Sequence, residues 1–274
     1  MKHLTSYIEA ISFVAPGLPD WKHTQAVLRD AIPYVSSELM PYQPTLLPPN
    51  ERRRASPTVR MAFRIAEELI QHSSIPADQL ACVFSSADGD LSIAQRICTA
   101  LADSTRLVSP TDFHNSVHNA AAGYWSIAAN AKGPSTAIAA FDHSFATGLL
   151  EAHCMVQIEN QPVLLVVYDV PAPQPLHASR PVAIPAGVGL LLTVAPTANT
   201  IAGISMQIAE CTGTNTNDTA VETLRLSNPA ARALSLLQAL ARYKLSTVNV
   251  TVNIEMDQPR CLQITLHPAT ATHS

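Results

Sequence analysis

Charge is scarce in this chain. Asp, Glu, Lys and Arg make up 14% of its 274 residues, the formal net charge is −4, and Arg52-Arg53-Arg54 is the only dense basic cluster. A nucleic-acid surface needs positive charge gathered along a groove or a helix, so that class of partner is not expected. Long apolar runs are missing too. No stretch reaches the roughly 20 apolar residues of a membrane span. Glu9 and Ser12 interrupt the apolar start, which argues against a secretory signal. The five cysteines (Cys82, Cys98, Cys154, Cys211, Cys261) are odd in number, widely spaced and free of CxxC pairs. Neither a disulfide framework nor a structural zinc site is therefore expected. A reducing cytoplasm fits, and no cofactor is implied.

Apolar side chains, by contrast, are 47% of the residues, enough to bury a large core. Tyr7 to Val14 alternates as a strand does, and Asp20 can cap a short helix through Leu28. Five prolines over residues 33–50 predict a loop. Ser56-Pro57 opens a helix with its apolar stripe on Met61, Ala62, Ile65, Ala66, Leu69 and Ile70. Further helices are predicted over 91–102, 112–129 and 144–158, with strands at 80–84, 135–141 and 162–168. That alternation predicts an α/β fold with a mainly parallel, helix-covered sheet. Beyond a second proline-rich connection, 171–185, come two neighbouring strands, 188–194 and 201–208. A helix from Ser227 to Leu240 and closing strands at 248–254 and 262–266 follow, with a frayed tail after Pro268.

The most informative stretch is SPTDFHNSVHNAAAGYWSIAANAKGPSTAIAAFDHSFATGLLEA, residues 109–152. It resembles the part of the β-ketoacyl synthases in which an Ala/Gly-rich helix leads through a Gly-Pro turn and a buried strand to the nucleophile's helix. LLPPNERRRASPTVRMAFRIAEELI and QLACVFSSADGD resemble upstream pieces of that family, and ECTGTNTNDTAVETLR (210–225) resembles its His-Gly-Thr segment. SVHNAAAGYWSIA and SFATGLLEA together look like the small ketosynthase-like chain-length factors of aryl polyene biosynthesis. The resemblance implies a thiolase-like, layered αβαβα fold in one domain, with a largely complete first half (1–195) and a shortened second half (196–274).

Two departures carry the functional expectation. Counting without gaps from Gly133-Pro134-Ser135 puts Asp142 where the family has its nucleophilic cysteine. A carboxylate there cannot hold an acyl chain as a thioester would, and its charge opposes an oxyanion. Thr212 stands where the family has a histidine, and a threonine is a weaker donor to the enolate formed on decarboxylation. The expectation is a non-catalytic chain-length factor. It would heterodimerise with an active β-ketoacyl-ACP synthase in polyene, polyketide or fatty-acid-like biosynthesis, shape the acyl tunnel and meet an acyl carrier protein. Arg52, Arg53 and Arg54 are candidates for carrier-protein docking, or simply a solvated lead-in to a helix.

His114 and His118, four apart on the predicted helix, read as interface or packing residues rather than metal ligands. Tyr124 and Trp125, with Phe141 and Phe145, are candidates to line the subunit boundary and close the partner's tunnel, against ordinary packing. Cys154 reads as a core residue. Asp142 and His143 can cap the helix that follows. A different class, a stand-alone acyl-thioester transferase or hydrolase, would use Ser144 with His143, although no GxSxG elbow is present. A homodimeric scaffold without an acyl pocket is the third reading.

Overall fold

The structure, a computed structural model, describes residues 4–243 and 249–268. Strand β1 (Ser6–Val14) is followed by helix α1 (Trp21–Leu28), where Asp20 accepts from the His23 N–H at 2.7 Å. The proline-rich loop ends in a short helix, α2 (Pro49–Arg54), and α3 (Pro57–Gln71) starts under a Ser56 cap. The buried Glu67 carboxylate ties the loop to α3 by accepting from the Leu46 N–H at 2.9 Å and the Thr45 hydroxyl at 2.8 Å. Then come β2 (Ala81–Ser85) and α4 (Leu91–Ala102).

The helix expected over 112–129 is two helices, α5 (Pro110–Asn115) and α6 (Ala120–Ala128). Ser109 caps α5, which begins two residues before the expected start. The break at 116–119 occurs where the Ser116 hydroxyl donates back to Phe113 O and His118 turns its Nε2 to Ser86 O at 2.9 Å. Strand β3 (Ser135–Ile138) stops short of 141, because Phe141 takes φ +52° and opens a 3-10 turn, Phe141–His143, that leads into α7 (Ser144–Glu159). β4 (Val163–Asp169), the single turn α8 (Leu176–Ser179), β5 (Ala186–Thr193) and β6 (Ala202–Glu210) follow. Last come α9 (Thr219–Leu226), a 3-10 turn (Ala230–Ala233), α10 (Leu234–Tyr243), β7 (Val250–Glu255) and β8 (Arg260–His267). Val248 and the tail from 269 lie outside the described residues.

The eight strands form one sheet in the order β3-β2-β4-β5-β1-β6-β8-β7. Only β2 with β3 and β2 with β4 are parallel, and the other five pairings are antiparallel, which corrects the mainly parallel expectation. β4 and β5 are buried on both faces. Such uniformly apolar runs suggest a parallel sheet, yet these two pair antiparallel. β5 and β6 are not neighbours either, since β1 lies between them.

Alternate residues of β4 enter different cores. Leu164, Val166 and Tyr168 join Phe63, Leu69 and Trp125 of α3 and α6, whereas Val163, Leu165 and Val167 join Phe145 and Leu149 of α7 and Leu237 of α10. α7 is thereby held inside the molecule. Strands β7 and β8 bury Val252, Ile254, Leu262, Ile264 and Leu266 and turn Thr251, Asn253, Gln263 and Thr265 outward, so the far end of the sheet is covered on one face only.

β5 lets α3 approach because it carries glycine. A Cβ on Gly189 would meet Leu69 Cδ1 at 2.4 Å and Ile65 Cγ2 at 2.6 Å. Gly189→Ala is expected to cost about 1–3 kcal/mol by overpacking, read as a lower urea midpoint in the isolated chain.

Candidate functional site

The site lies where β2, β3 and β4 end and α7 begins. Asp142 does not cap α7. Its Oδ1 accepts from Arg180 Nη1 at 2.8 Å, and Arg180 Nε donates to Asp88 Oδ2 at 2.6 Å. His143 makes no capping bond either. The Ser144 hydroxyl closes the turn instead, donating to Phe141 O at 2.7 Å and accepting from the Ala140 N–H at 3.1 Å. The guanidinium carbon of Arg180 stands 3.8 Å over the Phe141 ring. Ser144 is fully buried with its hydroxyl committed on both sides, and no hydrogen bond joins it to His143, so a Ser/His nucleophile has no geometry here.

Beside this turn, the Asp169 carboxylate accepts from the Ser86 hydroxyl at 2.9 Å and the Ala87 N–H at 2.8 Å. Complete burial pushes its pKa up to about 7, against the opposing pull of those donors. No thiol stands at the head of α7. Cys154 is ten residues further along, about 15 Å up the axis. It is exposed and not in the core, because Ala152, His153, Met155 and Val156 take the inward face of the helix.

The remaining sequence candidates are dispersed. His114 belongs to α5 and His118 to the turn after it, so the two do not share a helix. His114, Val117, Gly123, Tyr124 and Ile127 line an open pocket of about 440 Å³ beside α6, and the Tyr124 hydroxyl donates to Asn115 Oδ1 at 3.0 Å. Trp125 and Phe145 are fully buried in the two cores and offer no surface to a partner or a tunnel, which corrects their reading as boundary residues. Arg52 folds back to donate to Thr45 O and Leu47 O, while Arg53 and Arg54 are exposed. Thr212 is exposed in the loop after β6, where its carbonyl accepts from Asn253 Nδ2 at 3.2 Å. No hydrogen bond among the described residues joins it to Asp142.

Sequence reasoning missed Arg180, Asp88 and Asp169. The run VLLVVYD held one signal: a carboxylate closing a wholly apolar strand. Arg180, a lone cation in a proline-rich connection, gave none. No helix among the described residues is long and apolar enough to cross a membrane.

A five-strand arrangement β3-β2-β4-β5-β1 with a buried helix entering from its edge strand is the thiolase-like ketosynthase fold. The model of the β-ketoacyl synthase, N-terminal domain, matches residues 21–254, and the chain belongs to that family. The chain is similar to a solved complex of the ketosynthase ApeO with its chain length factor ApeC from Xenorhabdus doucetiae. The match has 24% identity and a TM-score of 0.71, and covers 97% of this chain and 100% of that one. It is also similar to the ishigamide ketosynthase/chain length factor, at 13% identity and a TM-score of 0.72 over 96% of this chain and 99% of that one. A third is a type II acyl-carrier protein in complex with its ketosynthase bound to the hexaketide, at 9% identity and a TM-score of 0.72 over 97% and 99%. None of the curated proteins matches the sequence.

Proposed function

We propose that this chain is a non-catalytic chain-length factor that pairs with an active β-ketoacyl-ACP synthase and bounds the cavity in which that partner's acyl chain grows. The observation that carries the reading is Asp142, a carboxylate ion-paired to Arg180 at the head of the buried helix, where a ketosynthase needs a thiolate. A paired carboxylate offers neither a thioester nor an empty oxyanion site. Thr212 fits the same reading, since its hydroxyl cannot supply the switchable charge of a histidine.

Pairing is supported by the sheet edge. β3 is the terminal strand, its four residues are exposed or half-buried, and no strand of the described residues lies along its outer side. Between β2 and β3 in the chain, Leu107, Phe113, Val117 and Ile127 are between 54% and 78% exposed, more apolar side chain than a solitary subunit gains from showing to water. The solved structures reported above as similar are of ketosynthases with a chain length factor or with a carrier protein. The acyl chain would be a polyene, as in aryl polyene biosynthesis, carried in the cytoplasm by an acyl carrier protein that the exposed Arg53 and Arg54 would meet.

Co-expression with the catalytic ketosynthase is expected to yield a one-to-one complex by size-exclusion chromatography with mass analysis. The isolated chain, with the exposed Cys98 and Cys154 changed to serine, is expected to take no covalent label from an acyl thioester or a cerulenin-type inhibitor. An acyl adduct on Asp142 or Ser144 would sink the reading.

A further inference from the structure

We propose that Phe141 is an aromatic plug held outward by Arg180 for insertion into an apolar recess of the catalytic partner, an inference that rests on the heterodimer reading. Beyond the contact with Arg180, the chain buries little of this ring. Phe141 is 59% exposed, and its backbone sits at φ +52°, a region that a bulky side chain enters only under constraint. Strain of this kind persists where the surroundings over-determine it, and here they do. Arg180, itself nearly buried, reaches from the connection between β4 and β5. It holds Asp88 of the turn after β2 and Asp142 of the turn before α7, and its guanidinium carbon stands 3.8 Å from the centre of the ring. The guanidinium fork fixes the turn, its cationic face covers one side of the ring, and the other side is left to the exterior.

Position names the occupant. Phe141 comes three residues after Ile138, the last residue of the edge strand β3. A partner strand laid against β3 brings its own surface over the ring. That surface must be apolar to accept it, because a desolvated aromatic anchor contributes most in a water-free pocket. Arg180 is a positioning residue in this arrangement and touches no substrate.

The test uses the one-to-one complex with the co-expressed ketosynthase and, separately, the isolated chain. Phe141→Ala is expected to raise the dissociation constant at least about tenfold. Phe141→Gly is expected to weaken the complex equally while the isolated chain melts no lower than wild type, since glycine takes the positive φ without strain. Arg180→Lys, which keeps the charge but loses the fork, is expected to weaken the wild-type complex several-fold and to add no loss in the Phe141→Ala background.

An unchanged dissociation constant for Phe141→Ala overturns the inference alone, as does a Phe141→Gly chain that melts several degrees lower. An Arg180→Lys loss that persists undiminished without the ring overturns the positioning role. A wild-type chain that forms no complex overturns the heterodimer reading and the plug with it.

Discussion

Trp125→Ala is expected to destabilise the isolated chain by about 3–5 kcal/mol, and to lower its melting temperature by on the order of 10 °C, whether or not a partner is present. The indole is wholly shielded from solvent and meets Phe63 edge-on, ring centres 5.6 Å apart, so that α6 is keyed into α3. Its N–H faces the Cys82 thiol of β2, whose pKa burial pushes up to about 12. Alanine would leave a cavity bounded by a helix and a sheet that cannot both close in, which places the cost in the upper range for such truncations. The neighbouring position gives the contrast. Tyr124 faces the open pocket, with its hydroxyl on Asn115, and Tyr124→Phe is expected to change stability far less. A thermal melt of the isolated chain decides the matter. If Trp125→Ala kept the wild-type melting temperature, the ring would belong to a subunit boundary after all.

Tyr124 and Trp125 show where the sequence was legible and where it was not. Their type, bulky residues after an Ala-rich stretch, marked the helix; which of the two points inward depends on where α6 begins. That start was hidden because the helical pattern runs on through 112–129, and 116–119 holds neither proline nor glycine, nor a side-chain cap on α6, to mark the break. With the break at 116–119 the phase of the helix shifts, and His114 and His118 separate. By contrast, Asp20 and Ser56 announced α1 and α3 correctly, because a cap and its apolar stripe are local. The direction of strand pairing is not local, and neither is the partner of Asp142, which lies 38 residues away. Asp142 was found by counting from a glycine-proline turn. Arg180, which gives that carboxylate its place, has no signature that periodicity or spacing can reveal.

Asp169→Asn is expected to stabilise the chain by about 4 kcal/mol at pH 8 and by less than half of that at pH 5. Burial raises the folded-state pKa of Asp169 from 3.8 to about 7, with Asp88 adding to the shift and the Ser86, Ala87 and Arg180 contacts opposing it. Between those two values the folded chain binds a proton that the unfolded chain has released, so the stability of the wild type falls as pH rises through the window. Integrated over the shift, the loss is about 4 kcal/mol once the carboxylate is forced to ionise inside the molecule. Asparagine keeps an oxygen for the Ser86 hydroxyl and the Ala87 N–H and carries no charge to desolvate, so it escapes the penalty. The measurement is the difference in unfolding free energy between the variant and wild type at the two pH values, which cancels the titration of every other group. A difference that is flat with pH, or that favours the aspartate at pH 8, would mean that Arg180 holds Asp169 ionised, and the turn before α7 would then rest on three carboxylates and one guanidinium.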